Sequence, residues 1–171
     1  MKKIYILLFA TILMSGFSSC TENQSTLTPQ EKEKLTTEVN EMVSSMIAGI
    51  KNLDIKQAYE NTIDLSGNFK YIGLKGEFLD AKSFMKEVED VFNTLDKAEF
   101  NFSKPDIRIV SPDVAIVTMT YHGTFYFPGM KMTFPDCGRT LVLQKMDGQW
   151  KIIHFHESMQ ESEFVQTPLD Q

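Results

Sequence analysis

Two cysteines are all the chain has, at positions 20 and 137. If the first is modified, no intramolecular disulfide is open to the protein, and a hydrophobic core must hold the fold. Basic charge is equally scarce. Setting aside Lys2 and Lys3, which belong to an N-terminal leader, leaves 15 basic groups against 23 acidic ones, a balance of −8. Without a basic stripe, that balance excludes nucleic acid as an expected partner. No apolar run is long enough to anchor stably across a bilayer. No glycine-rich phosphate loop and no Ser-His-Asp arrangement is present. Only three histidines occur, His122, His154 and His156. His154 and His156 form a His-x-His pair, but no third ligand stands at a convincing spacing, so no metal and no cofactor is expected.

What is present begins with the leader. Met1-Lys2-Lys3 is a basic start and Ile4 to Met14 an apolar stretch, which together read as a secretory signal over residues 1–19. Phe17-Ser18-Ser19-Cys20 resembles a bacterial lipobox, with Phe17 where leucine is usual. The resemblance implies cleavage before Cys20, lipidation of that residue and attachment to a membrane of the bacterial cell envelope, periplasmic or surface-facing. Residues 20–29 then serve as lipidated cysteine and polar tether, 30–159 as one domain and 160–171 as an acidic tail. Cys137 is left as a small packed residue or ordinary thiol.

Thr28-Pro29-Gln30-Glu31 combines a cap, a first-turn proline and a capping box. Leu35, Val39, Met42, Val43, Met46, Ile47 and Ile50 recur every three or four residues, a helix stripe reaching about Lys51. Residues 54–61 suggest a short second helix and 68–73 a short strand. Asp80 can cap a third helix with Ala81, Phe84, Met85, Val88, Val91, Phe92 and Leu95 on its buried side. From Ala98 the period becomes two: a strand to Val110 bent near Pro105, a long strand Val114 to Phe127, and Met130 onward. Asp147-Gly148 joins two final strands as a two-residue hairpin turn. Strict alternation along the last one puts Trp150, Ile152, His154, His156 and Ser158 on one face, and Lys151, Ile153, Phe155, Glu157 and Met159 on the other. The order predicts an α+β fold, a curved antiparallel sheet with helices on one side.

That order, with Ser111 to Val117, Gly138 to Leu143 and Asp147 to Ser158, resembles the SnoaL-like branch of the nuclear transport factor 2-like superfamily over about residues 30–159. The last segment is also similar to the closing strand of the association domain of calcium/calmodulin-dependent kinase. The resemblance implies a cone: a sheet wrapped round a long helix, open at one end into a pocket, often dimerising through its convex face. Relatives include isomerases, cyclases, hydrolases and dehydratases, so fold alone does not choose the chemistry.

Candidate pocket residues are Arg139, His154, His156, Tyr71, Tyr121 and Trp150. Arg139, early on a covered strand, demands an anion. A salt bridge to Asp136, Glu77 or Asp64 is the plainer reading, and a clamp for a ligand carboxylate the sharper one. Asp64 and His156 are the candidate catalytic groups, although Asp64 also suits a turn or cap. Tyr71 and Tyr121 can donate to a ligand oxygen or be ordinary strand aromatics, and Trp150 is most simply core. His122 shares its face with threonines and is expected to point outward. Two readings stay open: a non-catalytic, lipid-tethered module, expected as a homodimer, binding a small apolar or anionic ligand; or a small isomerase, cyclase or hydratase with Asp64 as base and a tyrosine or histidine as acid.

Overall fold

The computed structural model describes residues 27–159 and 165–168. Helix α1, Pro29–Asn52, starts as its sequence dictates. The Thr28 hydroxyl accepts from the Glu31 amide at 3.2 Å, and the Glu31 carboxylate accepts from the Thr28 amide at 2.8 Å. Val39, Val43 and Met46 are completely buried, with Leu35 and Ile50 nearly so, while Met42 and Ile47 form the shoulders of the stripe. The predicted second helix is instead a π-helical turn, Lys56–Glu60, with the Asn61 amide donating to the Lys56 carbonyl at 3.0 Å. Close packing accompanies it: a Cβ on Gly49 would stand 2.3 Å from the Ala58 nitrogen, so the end of α1 and this turn touch backbone to backbone. Helix α2, Ala81–Phe92, is capped by Asp80, whose carboxylate accepts from the Ser83 amide at 2.8 Å.

Strands β1, Lys70–Ile72, and β2, Phe78–Asp80, precede α2; β3, Lys97–Phe102, and β4, Asp106–Ser111, follow it. The expected single bent strand is therefore two, interrupted by Ser103-Lys104-Pro105. Then come β5, Val114–Phe127; β6, Met130–Met146; and β7, Gln149–Met159. A last strand, β8, Val165–Pro168, lies within the segment expected to be an acidic tail and pairs with Met130–Thr133 of β6. The sheet runs β2-β1-β7-β6-β5-β3, with β4 beside the start of β5. It is mixed rather than wholly antiparallel, because β1 lies parallel to β7. None of the helices among the described residues is long and apolar enough to cross a membrane.

Register breaks in the pairs β4–β5, β5–β6 and β6–β7 accompany the curvature of the sheet. The break in β7 decides which of its side chains face inward. Leu143 faces Ile152 but Val142 faces His154, so Ile153 is an extra residue. It falls where the other edge partner of β7 changes from Ile63, bridged to Ile152, to β1, whose Lys70 faces His154. After the bulge the alternation is inverted. Trp150, Ile152, Phe155 and Glu157 are buried, and His154 and His156 lie on the outer face opposite Val142 and Thr140.

At one end the cone is closed: Lys145 Nζ (2.6 Å) and Trp150 Nε1 (3.1 Å) both donate to the Glu38 carboxylate of α1. At the other end α1 stops and α2 crosses the opening. There Ala81 and Phe84 are the buried residues of α2, and Val91 is exposed.

Candidate functional site

Beyond the C-terminal end of α1 lies a cavity of about 210 Å³. Its walls are mostly rings. Tyr59 comes from the π-helical turn, Tyr71 from β1, Phe84 and Phe92 from α2, Phe100 and Phe102 from β3, Tyr121 and Phe125 from β5, and Phe155 from β7. They meet edge to face or tilted, with centroids 4.9 Å apart for Tyr71 and Phe84 and 5.0 Å for Phe100 and Phe125. Gly123 makes room for this lining, since a Cβ there would stand 2.4 Å from the Phe100 ring. Glu87, Val88 and Val91 of α2 and Leu74 after β1 stand at the mouth.

The polar floor is a closed cluster around Glu157. Arg139 donates to Glu157 Oε1 through Nε at 3.1 Å and Nη2 at 2.7 Å. Tyr121 donates to the same oxygen at 2.7 Å, and Tyr71 to Oε2 at 2.8 Å. The guanidinium lies among the Tyr121, Phe155 and Phe102 rings, 4.6, 4.8 and 5.4 Å from their centroids. Burial alone works to lower its pKa, but the Glu157 carboxylate and Tyr59 and Tyr121 outweigh that and raise it, so the charge is secure. Burial, reinforced by the Glu157 charge, raises the Tyr71 and Tyr121 hydroxyls well above the usual phenol range. Tyr59, beside the guanidinium, is pushed up to about 12, chiefly by burial. All three therefore stay protonated donors across the physiological range.

The structure thus brings together Arg139, Tyr71 and Tyr121 from the sequence-derived candidates and separates the others. His154 and His156 are on the outer face of β7, and Trp150 is a core residue at the closed end. None of the three lines the cavity. Asp64 also lies outside it. Its buried carboxylate accepts from the Ser66 amide at 2.8 Å and the Asn68 amide at 3.2 Å, tying the loop before β1. Burial works to raise its pKa, and those hydrogen bonds outweigh it to give a net lowering, the opposite of what a general base at neutral pH requires. Arg139 has a protein carboxylate as partner, as the plainer reading expected, but it is Glu157 rather than Asp136, Glu77 or Asp64. Alternation had placed Glu157 opposite the histidines, on the face not read as the pocket. Tyr59 was missed because it belongs to a segment read only as a short second helix.

His122 is exposed, with Nδ1 3.4 Å from Asp136. Cys137 is a buried free thiol whose Sγ lies 3.3 Å from the Pro135 carbonyl, and burial pushes its pKa up. Among the described residues no group of His, Cys, Asp and Glu is arranged to hold a metal ion.

Several solved structures share this architecture. A nuclear transport factor 2-like superfamily protein of Salmonella enterica serovar Typhimurium superposes with a TM-score of 0.67 at 16% identity, covering 77% of this chain and 94% of its own. A candidate scytalone dehydratase of Novosphingobium aromaticivorans gives 0.66 at 11% identity, covering 84% and 93%. A ketosteroid isomerase-like protein of Erwinia carotovora gives 0.62 at 15%, covering 74% and 96%. At these identities the likeness is one of fold. No curated protein sequence matches the chain. The model of the SnoaL-like domain, however, matches residues 39–161, which span the C-terminal part of α1 and the sheet through β7. With the cone, its wide-end cavity and that match in agreement, the chain belongs to the SnoaL-like domain family, within the nuclear transport factor 2-like fold.

Proposed function

We propose that this domain is a non-catalytic module that binds a small molecule in its cone, held to a membrane of the bacterial envelope by lipid on Cys20. The observation that carries the reading is the saturation of Glu157. The one carboxylate on the cavity floor receives four hydrogen bonds from Arg139, Tyr71 and Tyr121. A carboxylate so occupied is a structural anion, poorly placed to take a proton from a substrate. Asp64 and His156, which an isomerase- or hydratase-like mechanism would recruit, do not face the cavity. The lipobox-like Phe17-Ser18-Ser19-Cys20 supports the anchor, and the exposed strand faces of the sheet support a homodimer.

The test is a thermal-shift screen of residues 21–171 against small ketones, esters, carboxylates and sterol-like rings, followed by chromatographic analysis of each stabilising compound after overnight incubation. A ligand at about a hundred times its dissociation constant stabilises the native state by roughly 2.7 kcal/mol. Stabilisation with the compound recovered unchanged is the expected result. Conversion at a rate proportional to protein, and lost in Glu157→Gln, overturns the non-catalytic reading. Expression of the full chain with and without Cys20→Ala, followed by membrane fractionation, tests the anchor. Light scattering tests the dimer.

A further inference from the structure

Resting on the proposed lipid on Cys20, we infer that the anchor holds the narrow end of the cone toward the membrane and that the cavity opens away from it, so that whatever enters the cavity arrives through water and is not a lipid drawn from the anchoring bilayer.

The first observation is where the tether joins the fold. Thr28 caps α1, and Leu27 before it already packs against the core. Leu27, Glu31 and Lys34 border one recess together with Pro112 of the β4–β5 turn and Lys145 near the end of β6. The Lys145 amide donates to the Asp113 carbonyl at 2.8 Å, which ties that turn to the same end. The chain therefore enters the domain at the closed end, where Lys145 and Trp150 bond Glu38.

The second observation is length. Ile50 is the residue of α1 that lines the cavity, and it stands 22 positions after Thr28. At the rise of an α-helix that separation is about 33 Å. To turn the mouth onto the membrane, the tether would have to run back at least that far beside the domain. Leu27, the first residue held by the fold, comes seven positions after Cys20. A chain of that length spans at most about 25 Å when fully extended. The inverted placement is out of reach by roughly 8 Å before any slack is allowed.

The third observation concerns the two ends. The turns at the narrow end are exposed and carry Asp113 and Asp147, which suits an end held beside a bilayer rather than sunk into it. Val88 and the exposed Val91 at the mouth would suit a port facing lipid, but the reach of the tether forbids that placement. Size agrees. The cavity of about 210 Å³ is below the ~300–1,000 Å³ of ordinary ligand sites and has no room for a lipid with its acyl chains.

The experiment uses the full chain, purified in its lipidated form and reconstituted on phosphatidylcholine vesicles that carry a dansyl-headgroup lipid. Trp150 is the sole tryptophan, and its partner Glu38 lies 12 positions before Ile50, about 18 Å nearer the tether. Trp150→Phe/Val91→Trp moves the donor to the mouth. Energy transfer to the dansyl groups is expected to be severalfold stronger from Trp150 than from the tryptophan at 91. Should the double variant not fold, twelve glycine and serine residues inserted between Gln24 and Ser25 of the wild type decide instead, with weaker transfer from Trp150 expected. Equal or stronger transfer from position 91, or transfer from Trp150 that the insertion leaves unchanged, overturns this inference while the anchor stands. A chain that does not float with the vesicles, or that floats equally well as Cys20→Ala, overturns the anchor and this inference with it.

Discussion

Replacing Glu157 by leucine is the sharpest perturbation of this protein, because the consequence is set by four hydrogen bonds and one ion pair at known positions. The substitution leaves the Arg139 guanidinium buried at 6% exposure with Nε and Nη2 joining Nη1 as unpaired donors. Removing one partner of a buried ion pair costs about 3–5 kcal/mol, since the remaining charge keeps its desolvation penalty without its counter-ion. The Tyr71 and Tyr121 hydroxyls lose their acceptor as well, at about 1–3 kcal/mol each if sealed from water. Both face the cavity, so the low end applies to them. Against a total stability of about 5–15 kcal/mol for a domain, the single variant is expected to be severely weakened, its midpoint lowered on the order of 10 °C. The double variant Glu157→Leu/Arg139→Met removes the stranded charge. It should recover at least about 2 kcal/mol relative to Glu157→Leu, despite losing the contacts of the guanidinium with three rings. Urea unfolding followed by the fluorescence of Trp150, the sole tryptophan and buried at the far end of the cone, measures all four corners of the cycle. A loss below about 1 kcal/mol for Glu157→Leu, or a double variant no more stable than the single, would refute the claim that the cluster holds a dry, mutually dependent charge pair.

Three further outcomes are expected. Gly49→Ala should lose on the order of 1–3 kcal/mol in urea unfolding, because its Cβ would stand 2.3 Å from backbone at Ala58, which no side-chain rotation relieves. Raised tyrosine pKa values mean that the native state holds its phenol protons more tightly than the unfolded chain does. The stability they contribute is complete below pH ~10 and is lost as pH rises through the native values. Absorbance of residues 21–171 at alkaline pH should therefore show Tyr59 still protonated at about pH 11 and ionising near 12, or with unfolding, whichever comes first. Asp64→Ala should lose about 0.5–2 kcal/mol at neutral pH. A lowered native pKa puts Asp64's contribution above its unfolded value near 3.8 and removes it as pH falls through the native one, so the two proteins should converge in acid.

Where local chemistry and periodicity agreed, the sequence was a sufficient guide. Thr28 and Glu31 could close only one kind of box, and Asp80 capped the helix it preceded. The bounds of β5 coincide with those expected, because Ser111-Pro112-Asp113 and Pro128-Gly129 punctuate the stretch at both ends. Strand order was less visible. That β1 runs parallel to β7 depends on where a loop tied by Asp64 delivers the chain, and no residue of a three-residue strand encodes its partner's direction. The weak burial of α2 is also a tertiary fact. Its apolar stripe promised a core helix, but the surface beneath it is a cavity, so Val88 and Val91 border the opening rather than fill a core.

The site was half legible for one reason, and that reason is local. Arg139 was found as a charge early on a covered strand and Tyr71 and Tyr121 as strand hydroxyls able to donate, and on all three strands the expected inward face is the buried one. Glu157 lies beyond Ile153, a single extra residue, and one extra residue exchanges the faces of everything after it. The His-x-His pair, conspicuous in sequence, was thereby turned outward, and Phe155 and Glu157 were turned in. A tension in the sequence did mark the place. The need of Arg139 for an anion goes unmet if Glu157 is exposed, whereas an inverted register meets it within the chain. An uncompensated buried arginine is therefore a test of register as well as of function. When alternation leaves one without a partner, the nearest acidic residue on the adjacent strand should be tried on the other face before a ligand is invoked.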